Sequence, residues 1–303
     1  MRYRLFTLAI FLFGGLQADP RPWWEVNYNL DIEYPRMGDY RWDKASEDII
    51  LRGRGVNRRS FYKVDLASGD TTVYLDSSVF NYDGSYIPVR RWNLSKDGSF
   101  MLIQSKRERI WRHSNTGTYY LLNIDQREIT KVSEKNEMLR NVKISPNNKW
   151  ISYVRHDNNL YVYNIKRKRE KKLTRNGSET LLNGHFGWVY EEELSGYDGY
   201  RWSPDSRYIA YIEEDQSEVG RFRMIDELKL YPDVQEVFYP KAGNTNPKIK
   251  MAVINVQGGG KKYIKIDSEA DVYYPWFEWY DNEVLWIMKL ERLQKKWQMI
   301  YAD

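Results

Sequence analysis

One phrase returns four times along this chain: "YRWDKASEDIIL" from Tyr40, "RWNLSKDGSFMLI" from Arg91, "VKISPNNKWISYV" from Val142 and "YRWSPDSRYIAYI" from Tyr200. Each passes from an aromatic or apolar residue, through a short polar turn of Asp, Asn, Ser or Pro, into an apolar strand. A degenerate fifth, "WFEWYDNEVLWIM", begins at Trp276. Behind several of them a second strand and turn follow, as in "SFYKVDLASGDTTVYLD", "TYYLLNIDQREITKVS" and "NLYVYNIKRKREKKLT", each reading as a hairpin. Ser95 and Ser145 stand 50 residues apart, and Ser145 and Ser203 58. Units near that period with about four strands each predict the blades of a β-propeller. The period-3.6 pattern of a long amphipathic helix is missing. A β-sandwich is the plain alternative, but it would not repeat a turn-and-strand phrase at this interval. The expected fold is all-β, a propeller of about five four-stranded blades over residues 40–303.

Composition agrees. Aromatic residues make up 16% and hydrophobic residues 42%, ample for a packed core. Tyr, at 25, outnumbers Phe, at 10, which suits half-buried strands whose rings pack while their hydroxyls reach water. The start, "MRYRLFTLAIFLFGGLQADP", sets Arg2 and Arg4 before an apolar run of 12 residues, Leu5 to Leu16. That run is short of the roughly 20 residues of a spanning helix. It reads as a secretory signal over residues 1–18, followed by a lead segment over 19–39, so the product is expected outside the cell rather than anchored. Loss of the signal lowers the net charge from +5 to +3, too little to predict a partner. The chain has no cysteine, so neither disulfides nor thiolate metal sites are expected. Two sequons, at Asn93 and Asn176, are candidate glycosylation sites.

The third long unit departs from the plan. An insert, "RNGSETLLNGHFGWVYEEELSGYDG", separates "REKKLT" from the strand after Tyr200, and it holds three consecutive carboxylates, Glu191, Glu192 and Glu193. On an extended strand neighbouring side chains diverge, whereas on a helical turn they stand ~100° apart and can serve one ligand. Two converging carboxylates raise one another's pKa, and a bound cation removes the conflict. An ammonium, with three donors, fits such a pair. Glu191 is read as exposed or paired nearby and is left out of the socket. Two other runs are read as structural. "KRKREKK", Lys166 to Lys172, is a solvated hairpin turn rather than a nucleic-acid patch, and "QGGGKK", from Gln257, is a tight strand connection. A lone His185 beside the insert is poor evidence for metal. No metal site and no cofactor are expected.

"GWVYEEE", followed closely by "WSPDSRYIAYIEED", resembles the propeller of dipeptidyl peptidase IV and its relatives, serine exopeptidases of the prolyl oligopeptidase family. "IWRHSNTGTYYLLNI" and "YPKAGNTNPKIKMAVINV" resemble two further segments of that family in the same order, with "WYDNEVLWIMKLERLQKKWQ" a looser fourth. The resemblance covers Tyr40 onward. It implies that Glu192 and Glu193 hold the free N-terminal ammonium of a peptide, and that Arg112 donates to a carbonyl beside it. Trp188 and Tyr190 are expected to pack the turn that aims them. With the amine pinned, two residues span ~7 Å to the reacting bond, so Xaa-Pro or Xaa-Ala dipeptides would be released.

The family's propeller has eight blades, and its Ser, Asp and His lie on a C-terminal α/β-hydrolase domain with a G-x-S-x-G elbow. No such elbow occurs in these 303 residues, and the histidines are His113, His156 and His185. The sequence therefore reads as the front part of such an enzyme, with no catalytic residue of its own and no hydrolysis expected from it alone. Its expected partners are peptides with a free N-terminus and the missing hydrolase domain; the resemblance leaves room for a homodimer of the full-length protein. A non-catalytic propeller that binds or scaffolds is the alternative.

Overall fold

The structure, a computed structural model, describes residues 39–303 apart from 44, 45, 47, 54–57, 134, 136, 137, 229, 259, 269 and 270. The signal expected at residues 1–18 and nearly all of the lead segment at 19–39 lie outside the described residues.

The turn that opens the repeated phrase is built identically three times. Ser95 Oγ donates to Asp97 Oδ1 (2.8 Å) and accepts from Phe100 N (2.9 Å), while Asp97 Oδ1 also accepts from Ser99 N (3.0 Å). Ser145, Asn147 and Trp150 repeat this cage at 2.9 Å and 3.0 Å, and Ser203, Asp205 and Tyr208 at 2.7 Å and 3.0 Å. The fourth turn residue has positive φ each time, filled by Gly98 (76°), Asn148 (57°) and Ser206 (63°). The hydroxyl thus satisfies a buried N–H that the tight turn would otherwise strand.

Each turn joins the first two strands of an antiparallel meander. The first runs Tyr40–Asp43, Asp48–Arg52, Phe61–Val64, Thr71–Leu75. The second runs Arg91–Leu94, Phe100–Arg109, Asn115–Asn123, Glu128–Lys131, and the third Leu139–Ile144, Trp150–Val154, Leu160–Asn164, Arg169–Lys172. The fourth is Tyr200–Trp202, Tyr208–Asp215, Lys248–Asn255, Lys261–Tyr263, and the fifth Val272–Trp279, Leu285–Glu291, Trp297–Ala302. "KRKREKK" spans the turn and last strand of the third meander, and "QGGGKK" links the last two strands of the fourth. An added hairpin, Arg221–Asp226 with Asp233–Phe238, stands off the fourth meander, its first strand exposed throughout.

Alternation along the strands assigns each face to a different neighbour. Met101 and Ile103 share a core with Ile50, Phe61 and Trp92 of the first two meanders, whereas Leu102 joins Leu139, Ile151 and Tyr153 of the third. Val154 and Val162 pack with Ile209 and Tyr211. Ala210 and Ile212, on the opposite face, pack with Phe277 and Ile287 of the fifth. Four cores therefore lie between five successive meanders, which is how propeller blades pack, and the second and third are also joined by backbone pairing of Leu139 and Arg140 with Gly117 and Thr116. The only α-helix among the described residues is Trp188–Leu194, and no described helix is long and apolar enough to cross a membrane.

The serine cage carries a stability prediction. Ser145→Ala removes the acceptor of Trp150 N, a buried hydroxyl within an otherwise partly exposed turn, and is expected to destabilise the fold by about 1–3 kcal/mol. The urea midpoint of the variant checks it; an unchanged midpoint would contradict the role given to the hydroxyl.

Candidate functional site

The insert folds as the helical turn expected of it. Trp188–Leu194 is α-helical, starts at Gly187 and ends at Ser195 in the left-handed region (φ 56°), where Gly196 N bonds back to Tyr190 O (2.9 Å). Tyr190 is fully buried, stacked on Phe186 with ring centroids 4.7 Å apart, and its hydroxyl accepts from Tyr274 N (3.1 Å). Trp188 lies against Tyr239 at 4.3 Å. The two rings fix the helix as the sequence suggests.

Arg112 arrives from elsewhere. The second and third strands of the second meander, Phe100–Arg109 and Asn115–Asn123, are 10 and 9 residues long, about twice the length of their counterparts in the third meander. Residues 110–114 form their tip. The hairpin bends at a bulge between Gln104 and Lys106. Opposite the bulge a Cβ on Gly117 would lie 2.4 Å from Gln104 Nε2 and 2.5 Å from Lys106 O, so only glycine fits there.

The tip is fastened by Glu191. Its Oε1 accepts from His113 N (2.7 Å) and Ser114 N (2.6 Å), while Oε2 is 3.9 Å from Arg140 Nη2. Glu191 has no solvent exposure, so of the two expectations, exposed or paired nearby, the structure shows the paired one, and the side chain is fully buried. Two backbone N–H groups converging on one carboxylate oxygen, screened from water, dock the hairpin tip on the helix. Nothing in the spacing of "EEE" marks the first glutamate for this task, because its donors lie 77 and 78 residues earlier.

With the tip held, Arg112 Nε meets Glu192 Oε2 at 2.8 Å. Glu192 is 15% exposed and Arg112 66%. Glu193, one helical step further, is exposed, and no ion pair among the described residues occupies its carboxylate. Two of the three expected socket residues are thus in direct contact, and the third lies beside them on the same helix, open to solvent.

Beneath the helix sits a second buried carboxylate. Glu214 Oε2 accepts from Gly187 N (2.9 Å), and Oε1 would be 2.6 Å from a Cβ at Gly187. Burial raises the Glu214 carboxyl to about 8, against the opposing pull of the Gly187 N–H and Arg140. Burial likewise brings the Arg140 guanidinium down to about 10, opposed by Glu191, Glu214 and Asp198. Sequence reasoning passed over Arg140 and Glu214 alike. His185 is buried, with ring nitrogens 3.2 Å from Phe186 O and 2.9 Å from Asn158 Oδ1, and burial depresses its pKa. Its bonding is thus taken up locally. The sequon residues are exposed: Asn93 accepts from Arg41 Nε (3.3 Å), and Asn176 Nδ2 donates to Glu213 at 3.4 Å.

Comparison with known proteins follows the same lines. Residues 95–303 match the family described as the dipeptidyl peptidase IV (DPP IV) N-terminal region. Dipeptidyl aminopeptidase B of Saccharomyces cerevisiae is 34% identical over 244 residues, 77% of this chain and 29% of the yeast protein. Dipeptidyl peptidase 4 of Bos taurus is 31% identical over 201 residues, 62% of this chain and 25% of its own length. The chain therefore spans less than a third of the curated relatives it matches. The crystal structure of Porphyromonas gingivalis dipeptidyl peptidase 4 superposes with a TM-score of 0.81 at 26% identity, over 93% of this chain and 40% of that one.

The buried Glu214 carries a pH prediction. The unfolded chain releases this proton near the ordinary value of 4.5, and the folded chain keeps it to about 8. The proton-linked stability is present below 4.5 and lost as pH rises to about 8. Glu214→Gln, which retains an acceptor for Gly187 N, should gain stability relative to the parent between pH 5 and pH 8. Urea unfolding at both values checks it; a pH-independent difference would refute the assignment.

Proposed function

The chain belongs to the dipeptidyl peptidase IV family, as its N-terminal region, and from that premise we propose that Glu192, Glu193 and Arg112 hold the α-ammonium end of a peptide substrate. The observation that carries this reading is the 2.8 Å contact of Arg112 with Glu192 beside the open carboxylate of Glu193. Two carboxylates and one guanidinium leave one net negative charge, which a single ammonium balances. Arg112 engages Glu192 through Nε, so its terminal nitrogens remain to donate to a substrate carbonyl. Glu192 is mostly withdrawn from water, which strengthens its attraction for an ammonium relative to a fully solvated carboxylate.

On this reading the propeller measures the substrate and gates its approach. The amine is fixed at the socket, and the bond two residues on, ~7 Å away, is presented for cleavage. Serine, base and acid would come from the hydrolase portion of a longer product, and dipeptides of the Xaa-Pro or Xaa-Ala kind would leave.

Binding tests the socket without requiring hydrolysis. A short Xaa-Pro peptide with a free N-terminus is expected to bind this chain, and the same peptide N-acetylated to bind at least about tenfold more weakly, the loss of one charge-assisted contact. Glu192→Gln and Glu193→Gln should each give a comparable loss while leaving the unfolding midpoint near that of the parent. Equal affinity for the acetylated peptide rejects the ammonium socket.

The secretory reading of the N-terminus assigns Asn93 and Asn176 as glycan acceptors, supported by the exposure of both. Expression in a secretory host should give a product whose mobility increases on enzymatic removal of N-glycans. The double Asn→Gln variant should show no such change, and a parent equally insensitive would exclude glycosylation.

A further inference from the structure

The run "KRKREKK" spans a hairpin turn and the strand after it, and its cations do not stand alone. Lys166, Arg167 and Lys168 of that turn, with Lys171 behind it, line a groove of about 860 Å³ together with Lys149 and Lys131. Lys149 comes from the serine-caged turn of the third meander, and Lys131 from the last strand of the second. Glu128 is the one acid in the wall, so the groove carries five net positive charges, equal to the net charge of the whole chain. None of the six cations has an acidic partner among the described residues, although Lys171 Nζ donates to Val256 O (3.0 Å).

The arrangement is held rather than loose. Asn164 Oδ1 accepts from Arg167 N (2.7 Å) and pins the turn, and Asn147 Oδ1 accepts from Lys149 N (3.1 Å). Between the cations lie half-buried Phe100 and Trp150 with buried Leu121 and Tyr163, among neutral polar residues such as Asn123, Gln126 and Asn148. Antiparallel order fixes where the groove opens. The 145–149 turn meets the 95–99 turn of the second meander, where Asn148 Nδ2 donates to Ser99 Oγ (3.2 Å), and the groove is lined there by Asn123 and Gln126, whereas the hairpin tip bearing Arg112 lies at the other end of the second meander's strands. This surface is therefore separate from the ammonium socket.

We propose that this groove docks an extended acidic segment of a partner protein, one in which carboxylates alternate with apolar side chains. Six unneutralised cations around a concave wall attract negative charge. The volume falls within the roughly 300–1,000 Å³ of sites that enclose a ligand. A flat lipid surface would not enter a groove, and a sulfated polysaccharide would leave the aromatic lining without apolar contacts. A strand-like segment presents carboxylates on one side and apolar groups on the other, which suits a groove lined by both cations and the rings of Phe100 and Trp150.

The test uses N-acetylated, C-amidated peptides, which the ammonium socket cannot hold, so its outcome does not depend on the function proposed above. A short peptide of alternating Glu and Leu should bind the chain, with affinity falling as salt rises. The Lys149→Glu/Lys166→Glu pair, both on exposed turns, should weaken binding about tenfold, as two attractions become repulsions. Glu192→Gln should bind the probe as the parent does. An alternating Glu and Ser peptide should bind several-fold more weakly, for want of apolar contact. Unchanged binding by the charge-reversed pair would overturn the proposal, as would equal affinity for the Glu and Ser peptide. Equal or tighter binding of heparin or a single-stranded oligonucleotide, in competition with the peptide, would also overturn it by showing general polyanion attraction.

Discussion

A sheet whose middle strands are buried on both faces must lie between two other sheets, and this requirement organises the molecule. Tyr208–Asp215 is buried at six consecutive positions, and Trp150–Val154 at four. Odd and even residues of such a strand enter different cores, so each meander cements the one before it to the one after. Hydrophobic burial at roughly 25 cal/mol per Å² then acts across every interface in turn, and no single core dominates. What the stacking leaves free are the strand ends. Function in such a scaffold has to be written into turns and inserts, because a change inside a strand disturbs two cores together.

The contact of Arg112 with Glu192 shows how a free strand end is made rigid. A seven-residue helix has little stability of its own, and a five-residue hairpin tip has less. Each is held by buried polar contacts that water cannot compete for: Glu191 with the backbone of His113 and Ser114, and Glu214 with Gly187 N. Arg140 Nη2 lies 3.9 Å from Glu191 Oε2, and the charges of Glu191, Glu214 and Asp198 oppose the fall in its pKa that burial causes. Removing one member of such a group would leave an unpaired polar atom in the interior, which costs more than the contact contributes. The set is not fully paired as it stands: Ser114 Oγ, Arg140 Nε, Glu191 Oε2 and Glu214 Oε1 are buried without a hydrogen-bond partner among the described residues. It joins an element of the second meander directly to an insert before the fourth.

The repeated phrase made the strand plan legible because its cause is local. A serine three residues before a positive-φ position, with Asp or Asn between, closes its own hydrogen bonds, and apolar alternation follows at once. The glutamate pair and Arg112 could be singled out through family-like phrases, and the helical turn through the need for neighbouring carboxylates to serve one ligand. Glu191, Arg140 and Glu214 were not legible, for one shared reason. Their partners come from segments 27 to 78 residues away in sequence, and pairing of that kind leaves no period or spacing to detect. The same holds for the basic groove. Lys166 to Lys168 read correctly as a turn, but only the stacking of the second and third meanders brings Lys131 and Lys149 to the same wall.

The contact between Arg112 and Glu192 has little to offer the fold. Arg112 is two-thirds exposed, and a pair of that kind contributes about 0–1 kcal/mol at most. Yet the structure around it is expensive: a doubled hairpin with a bulge, an obligatory glycine at position 117, and a fully buried carboxylate beneath. An investment of buried polar groups to place one exposed guanidinium makes no sense as stabilisation, since a shorter hairpin would leave the cores intact. It is intelligible as preorganisation. A side chain whose backbone is fixed before a ligand arrives loses less conformational freedom on binding, and charge held at the correct place needs no rearrangement to act. The balance between a costly support and a weakly stabilising contact is the physical reason for reading Arg112 and Glu192 as a site, independent of any likeness to other proteins.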